Sequence, residues 1–191
     1  MTFALYLTGV PGVGKSTIAR ALESTTGAVR LSYGEILTEN LRDRVASQAE
    51  LRNRSAEVIS ADDVRLADEF VATTVRAAAG RRNVVVDSHA LTAESYGLRA
   101  VTYTPEALAD LPFTHVVCLV APLEVVQRRV ADRSEGRRVQ DWHDLGMHAS
   151  LQASLALTYS FVLGAPVAFV RSDRVESEVL SDVTAFVGAF S

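Results

Sequence analysis

The sequence predicts an α/β fold in which a five-stranded parallel sheet carries helices on both faces. Two observations predict it. Five short runs rich in β-branched and apolar residues, "FALYLT" (3–8), "GAVRLS" (27–32), "NVVVDS" (83–88), "THVVCLVA" (114–121) and "PVAFVRS" (166–172), alternate with longer amphipathic runs. The segment "TGVPGVGKST" (8–17) follows the first apolar run and opens the first helical run, the context in which a glycine-rich phosphate loop is a strong signal.

Each element has a local reason. The strands are nearly continuous in apolar residues, as strands covered on both faces must be. Helical periodicity marks 15–25, 34–48, 60–79, 122–133, about 143–163 and 175–190. Gly80 ends the alanine-rich helix before it, and Pro166 opens the last strand. Two stretches fit neither pattern: the polar, basic 49–60, and 132–142 with "DRSEGRRVQDW". Both read either as insertions over a ligand site or as plain solvated loops.

A chain of 191 residues with 48% hydrophobic content suits one domain, 1–191, burying roughly 70% of its unfolded surface at this size. Net charge −4 argues against a general nucleic-acid or membrane-surface binder. The only cysteine, Cys118, sits in "HVVCLV" as a buried thiol, so no disulfide framework is expected and a reducing cytoplasm fits. The N-terminus reads as a first strand and not as a secretion signal, and no apolar run approaches the ~18 residues of a membrane helix. His143 and His148 are five apart on a helix and share no face, so no zinc site is expected.

Gly9, Gly12 and Gly14 permit the tight backbone that brings amide groups close to phosphate, and the helix starting near Lys15 aims its N-terminal dipole at the anion. Of 19 basic residues Lys15 is the single lysine, a slim point charge that can reach the β- and γ-phosphates from inside the loop. Ser16 is placed to coordinate Mg²⁺. Asp87 ends a strand at the edge where parallel sheets bind ligands; it holds a water of Mg²⁺, orients an acceptor or caps a helix.

With "VVVDSHA" and the arginines beyond it, the chain resembles the archaeal-type adenylate kinases within the P-loop nucleoside monophosphate kinases. "TGVPGVGKST" resembles their loop, "LSYGEIL" (31–37) their monophosphate-site helix start, "QRRVADRSEGRRVQD" (127–141) their arginine-bearing lid, and "SLALTYSFVLGAPVAFV" (154–170) their closing helix and strand. The likeness runs in order along nearly the whole chain. Thr38, where the bacterial pattern has arginine, selects the archaeal-type subgroup, whereas Gln140 departs from a second lid arginine and 90–112 matches weakly.

The resemblance implies a P-loop kinase fold with an acceptor-site insertion at about 33–80 and a lid at about 132–142. It implies that Gly12, Val13, Gly14, Lys15, Ser16 and Thr17 hold the donor phosphates, with Ser16 and Asp87 serving the metal and Arg128 or Arg129 covering the donor base. Ser32, Tyr33, Arg52, Asp87 and His89 would meet the acceptor. Lys15, Asp87, Arg133, Arg137 and Arg138 would act on the transferring group, Mg²⁺ would be the only cofactor, and a homotrimer is the implied assembly. Three functions follow: an ATP-dependent kinase of nucleoside monophosphates, AMP foremost; a P-loop kinase of another small metabolite; and an ATPase regulating a macromolecular partner.

Overall fold

The computed structural model describes residues 2–94, 97–100, 103–132 and 141–189. Strands β1 (Ala4–Thr8), β2 (Val29–Ser32), β3 (Val84–Asp87), β6 (His115–Val120) and β7 (Val167–Arg171) form one parallel sheet in the order β2-β3-β1-β6-β7. Helices α1 (Lys15–Thr26), α2 (Tyr33–Asn40), α3 (Gln48–Asn53), α4 (Ser55–Val58) and α5 (Ala61–Ala78) precede β3 along with β2. Strands β4 (Leu91–Glu94) and β5 (Gly97–Ala100) and helix α6 (Pro105–Ala109) precede β6, and α7 (Leu123–Ala131), α8 (Trp142–Leu163) and α9 (Glu176–Ala189) complete the chain.

The expected five-stranded sheet is present, with every strand within two residues of its predicted bounds. Both faces are covered. Leu5, Leu7, Val85, Val117 and Leu119 pack toward α1 and α9, while Tyr6, Val84, Val86, Val116 and Cys118 pack toward α5 and α8. Alternate residues of each strand thus enter different cores, so the strand runs carry no polar face. The strand order reverses between β1 and β3, and the crevice beyond their C-terminal ends, Thr8 and Asp87, is where such sheets take ligands. Among the described residues no helix is long and apolar enough to cross a membrane.

One expectation needs correction, and two segments gain structure that the sequence left open. The helix expected over 34–48 stops at Asn40. Leu41, Val45 and Leu51 form a small core of their own, which pulls the chain out of helical path into a turn before Ser47 caps a new helix by accepting from Glu50 N–H. The 49–60 stretch is therefore two short helices, followed by a capping box in which Ser60 and Asp63 each satisfy the other's backbone at the start of α5. Within 90–112, β4 and β5 pair antiparallel and Thr104 caps α6 by accepting from Ala107 N–H; both features lie outside the sheet pattern read from sequence.

Candidate active site

Strand β1 delivers the chain into the glycine loop and α1 takes it out. Gly9 and Gly12 have φ of 140° and 91°, in the region that favours glycine. A Cβ would lie 2.6 Å from the Leu119 carbonyl oxygen at Gly9 and 2.8 Å from Val130 Cγ2 at Gly12. Steric room as well as φ therefore requires glycine at both. Gly14 precedes α1 without any side chain to cap it, which leaves first-turn amides facing the loop for an anion.

The loop's charge is turned inward. Lys15, 5% exposed, donates from Nζ to the Gly9 carbonyl at 2.7 Å and to the Val10 carbonyl at 3.3 Å. His89 Nδ1 donates to the same Gly9 oxygen at 3.2 Å, so the histidine sits on the loop beside Lys15. Ser16 Oγ donates to Asp87 Oδ2 at 2.7 Å across 71 residues of sequence. Asp87 is itself buried and aligned in the ladder with Leu7 on one side and Ser32 on the other.

A cleft of about 230 Å³ opens beside the loop, with Gly12, Gly14, Thr17, Arg129 and Arg174 in its wall. Val13, also in its lining, has its side chain in the core and contributes backbone. Arg129 donates from Nη2 to the Ser172 carbonyl at 3.0 Å and stands over the cleft, whereas Arg128 points to solvent. Of the two arginines left open by the sequence, only Arg129 lines this cleft.

On the other side of β3, Ser32 is the N-cap residue of α2 and Tyr33 its first residue. The Tyr33 hydroxyl donates to Asp68 Oδ1 at 2.8 Å and is hydrogen-bonded to the Tyr103 hydroxyl, the two rings meeting edge to face. Burial holds the Asp68 carboxyl above its usual range and pushes both tyrosines up. Arg52 lies on α3, with its side chain outside the described residues; Arg133, Arg137, Arg138 and Gln140 also lie outside them.

The sequence reading missed Asp68, Tyr103, His148 and Gln152. Asp68 sits among the polar residues of an amphipathic helix, where nothing local sets it apart. His148 and Gln152 carried a signal, since they are four apart on the face that also holds Leu145 and Ala156, and a buried amide needs partners.

Residues 8–146 match the AAA_17 family model, described as an AAA domain. The chain belongs to that AAA-domain family. The chain is also a distant relative of archaeal adenylate kinases: 28% identical to the adenylate kinase of Pyrococcus abyssi over 90% of this chain and 87% of that one, and 23% identical to that of Methanoculleus marisnigri over 88% of each. A gluconokinase from Sinorhizobium meliloti 1021 shares the fold, with a TM-score of 0.55 and 19% identity over 98% of this chain and 92% of that one. The AAA-domain chain has the P-loop kinase fold.

Proposed function

We propose that this P-loop kinase transfers the terminal phosphoryl group of Mg-ATP to a nucleoside monophosphate, AMP foremost. The observation that carries the proposal is the 2.7 Å bond between Ser16 and Asp87, which joins the donor loop to the strand end bordering the acceptor side. Their oxygens suit Mg²⁺, a hard cation that takes a few protein oxygens and fills its shell with phosphate and water. When bound there the ion neutralises phosphate charge. No cluster of three or more candidate metal-ligating side chains occurs among the described residues.

The remaining work is positioning and electrostatics, because phosphoryl transfer asks for no side-chain nucleophile. Gly12, Val13, Gly14, Ser16 and Thr17 offer backbone amides and the helix dipole to the donor phosphates. Lys15 leaves the Gly9 and Val10 carbonyls to meet them. Arg129 covers the donor base in its cleft. Asp87 and His89 face the transferring group, Ser32, Tyr33 and Arg52 hold the acceptor, and Arg133, Arg137 and Arg138 close over the phosphates and exclude water.

A second reading, a different small-metabolite acceptor, is favoured by the Tyr33, Tyr103 and Asp68 cluster at the head of α2, where polar side chains engage one another. One experiment tests both: coupled ADP release with Mg-ATP across nucleoside monophosphates and phosphorylatable metabolites, alongside binding of two adenosines linked by five phosphates. Stimulation by AMP and binding of the linked compound far tighter than ATP are expected, since one molecule fills two sites. If no monophosphate raises ADP release and the linked compound binds no better than ATP, the monophosphate reading falls and any stimulating metabolite takes its place.

A further inference from the structure

Strands β1 and β3 carry the two halves of the site, and their ladder ends within it, one residue past Asp87. The last bond runs from Ser88 N–H to the Leu7 carbonyl at 3.1 Å. Beyond it β1 turns into the glycine loop and β3 into His89 and the β4–β5 hairpin, so past Ser88 side-chain bonds, among them Ser16 to Asp87 and His89 to the Gly9 carbonyl, take over from backbone pairing in holding the loop to the arm.

Helix α8 spans that gap. Gln152 Nε2 donates to Thr8 Oγ1 at 2.7 Å, and Leu91 N–H donates to Gln152 Oε1 at 3.1 Å. Leu91 offers an N–H, so the amide oxygen must face it and the amide nitrogen must face Thr8. One turn earlier, His148 Nε2 donates to the Leu91 carbonyl at 3.3 Å, so both backbone polar groups of Leu91 are held from one helix. Thr8 and His148 have no exposure, and Gln152 1%.

Burying a primary amide costs free energy that an apolar side chain would avoid, and the compensation here is two bonds aimed at two different chain segments. A planar amide has fixed donor and acceptor directions. Thr8 and Leu91 therefore cannot move relative to each other without breaking a buried bond. Thr8 directly precedes Gly9, whose carbonyl receives Lys15 and His89, and Leu91 lies two residues after His89.

We propose that Gln152, braced by His148, is a positioning residue that sets the separation between the glycine loop and the Asp87–His89 arm. The inference rests on the phosphotransferase reading for its catalytic consequence but not for the clamp itself. A misplacement of reacting groups by an ångström lowers turnover strongly while leaving substrate binding nearly intact.

The test is a double-mutant cycle with Thr8→Val and Gln152→Met, each close in shape to the original, and Thr8→Ser as the conservative rescue. Each single variant is expected to lower kcat about tenfold or more with KM for ATP within about twofold. The double variant should fall no further than the worse single, because both remove one linkage. Thr8→Ser should keep at least half of wild-type kcat, as should Ser154→Ala on the exposed face of α8. Hydrogen exchange at the Leu91 amide supplies a readout without turnover: Gln152→Met and Thr8→Val should both accelerate it. Unchanged kcat in both single variants, or losses that multiply in the double, overturns the positioning role. Leu91 exchange unaffected by Thr8→Val overturns the clamp. If the wild type transfers phosphate to no acceptor, the kinase reading fails by itself while the exchange experiment still decides the linkage.

Discussion

Replacing Lys15 with methionine should separate stability from chemistry. Lys15 is 5% exposed, and removing a charge from water costs several kcal/mol, which charge-assisted bonds to the Gly9 and Val10 carbonyls offset at about 1.5–3 kcal/mol each. Methionine keeps the unbranched reach and carries no charge to bury. Neither carbonyl is orphaned: Gly9 keeps His89 Nδ1 at 3.2 Å, and Val10 keeps Val13 N–H at 3.4 Å. The gain and the loss nearly cancel, so Tm should stay within about 4 °C of wild type, the shift that 1 kcal/mol produces in a domain of this size. Phosphoryl transfer should nonetheless fall by about 10² or more, the usual effect of deleting one preorganised donor to developing charge. Calorimetry and coupled ADP release on the same preparation check both halves. A Tm lowered by more than about 10 °C would mean that Lys15 is a structural brace. A kcat/KM within tenfold of wild type would mean that it does not meet the phosphates.

Arg129→Ala should raise KM for ATP about tenfold, whereas Arg128→Ala should change it less than twofold, because only Arg129 borders the cleft; equal effects in steady-state kinetics would refute the assignment. Acid should destabilise the protein through His115 and His148, both held neutral by burial below their ordinary value of 6.5. Unfolding then takes up protons, so stability is full above pH 6.5 and falls below it by up to about 1.4 kcal/mol per pH unit for each histidine. Urea unfolding between pH 7.5 and 5 checks this, and a flat profile would contradict it.

Local rules made much of the molecule readable. Strand bounds followed from apolar runs covered on both faces, and the glycine loop from a spacing whose φ demands and anion chemistry are confined to ten residues. Gly80, with φ of 71°, ends α5 as expected because a left-handed residue is a local need. The break in the expected 34–48 helix was not legible, since it depends on Leu41 and Val45 finding Leu51 after the chain turns back.

In the site, the sequence by itself determined which side chains were at hand: a glycine loop, one lysine, a serine opening the helix and a carboxylate ending a strand. Tertiary structure alone decided that Ser16 meets Asp87, that Arg129 and not Arg128 borders the cleft, and that Gln152 reaches Thr8 across 144 residues. Periodicity assigns a side chain to a face of its own element. Which partner that face meets depends on sheet order and on the direction each helix takes across the sheet, and neither leaves a mark within the span of a turn or a strand.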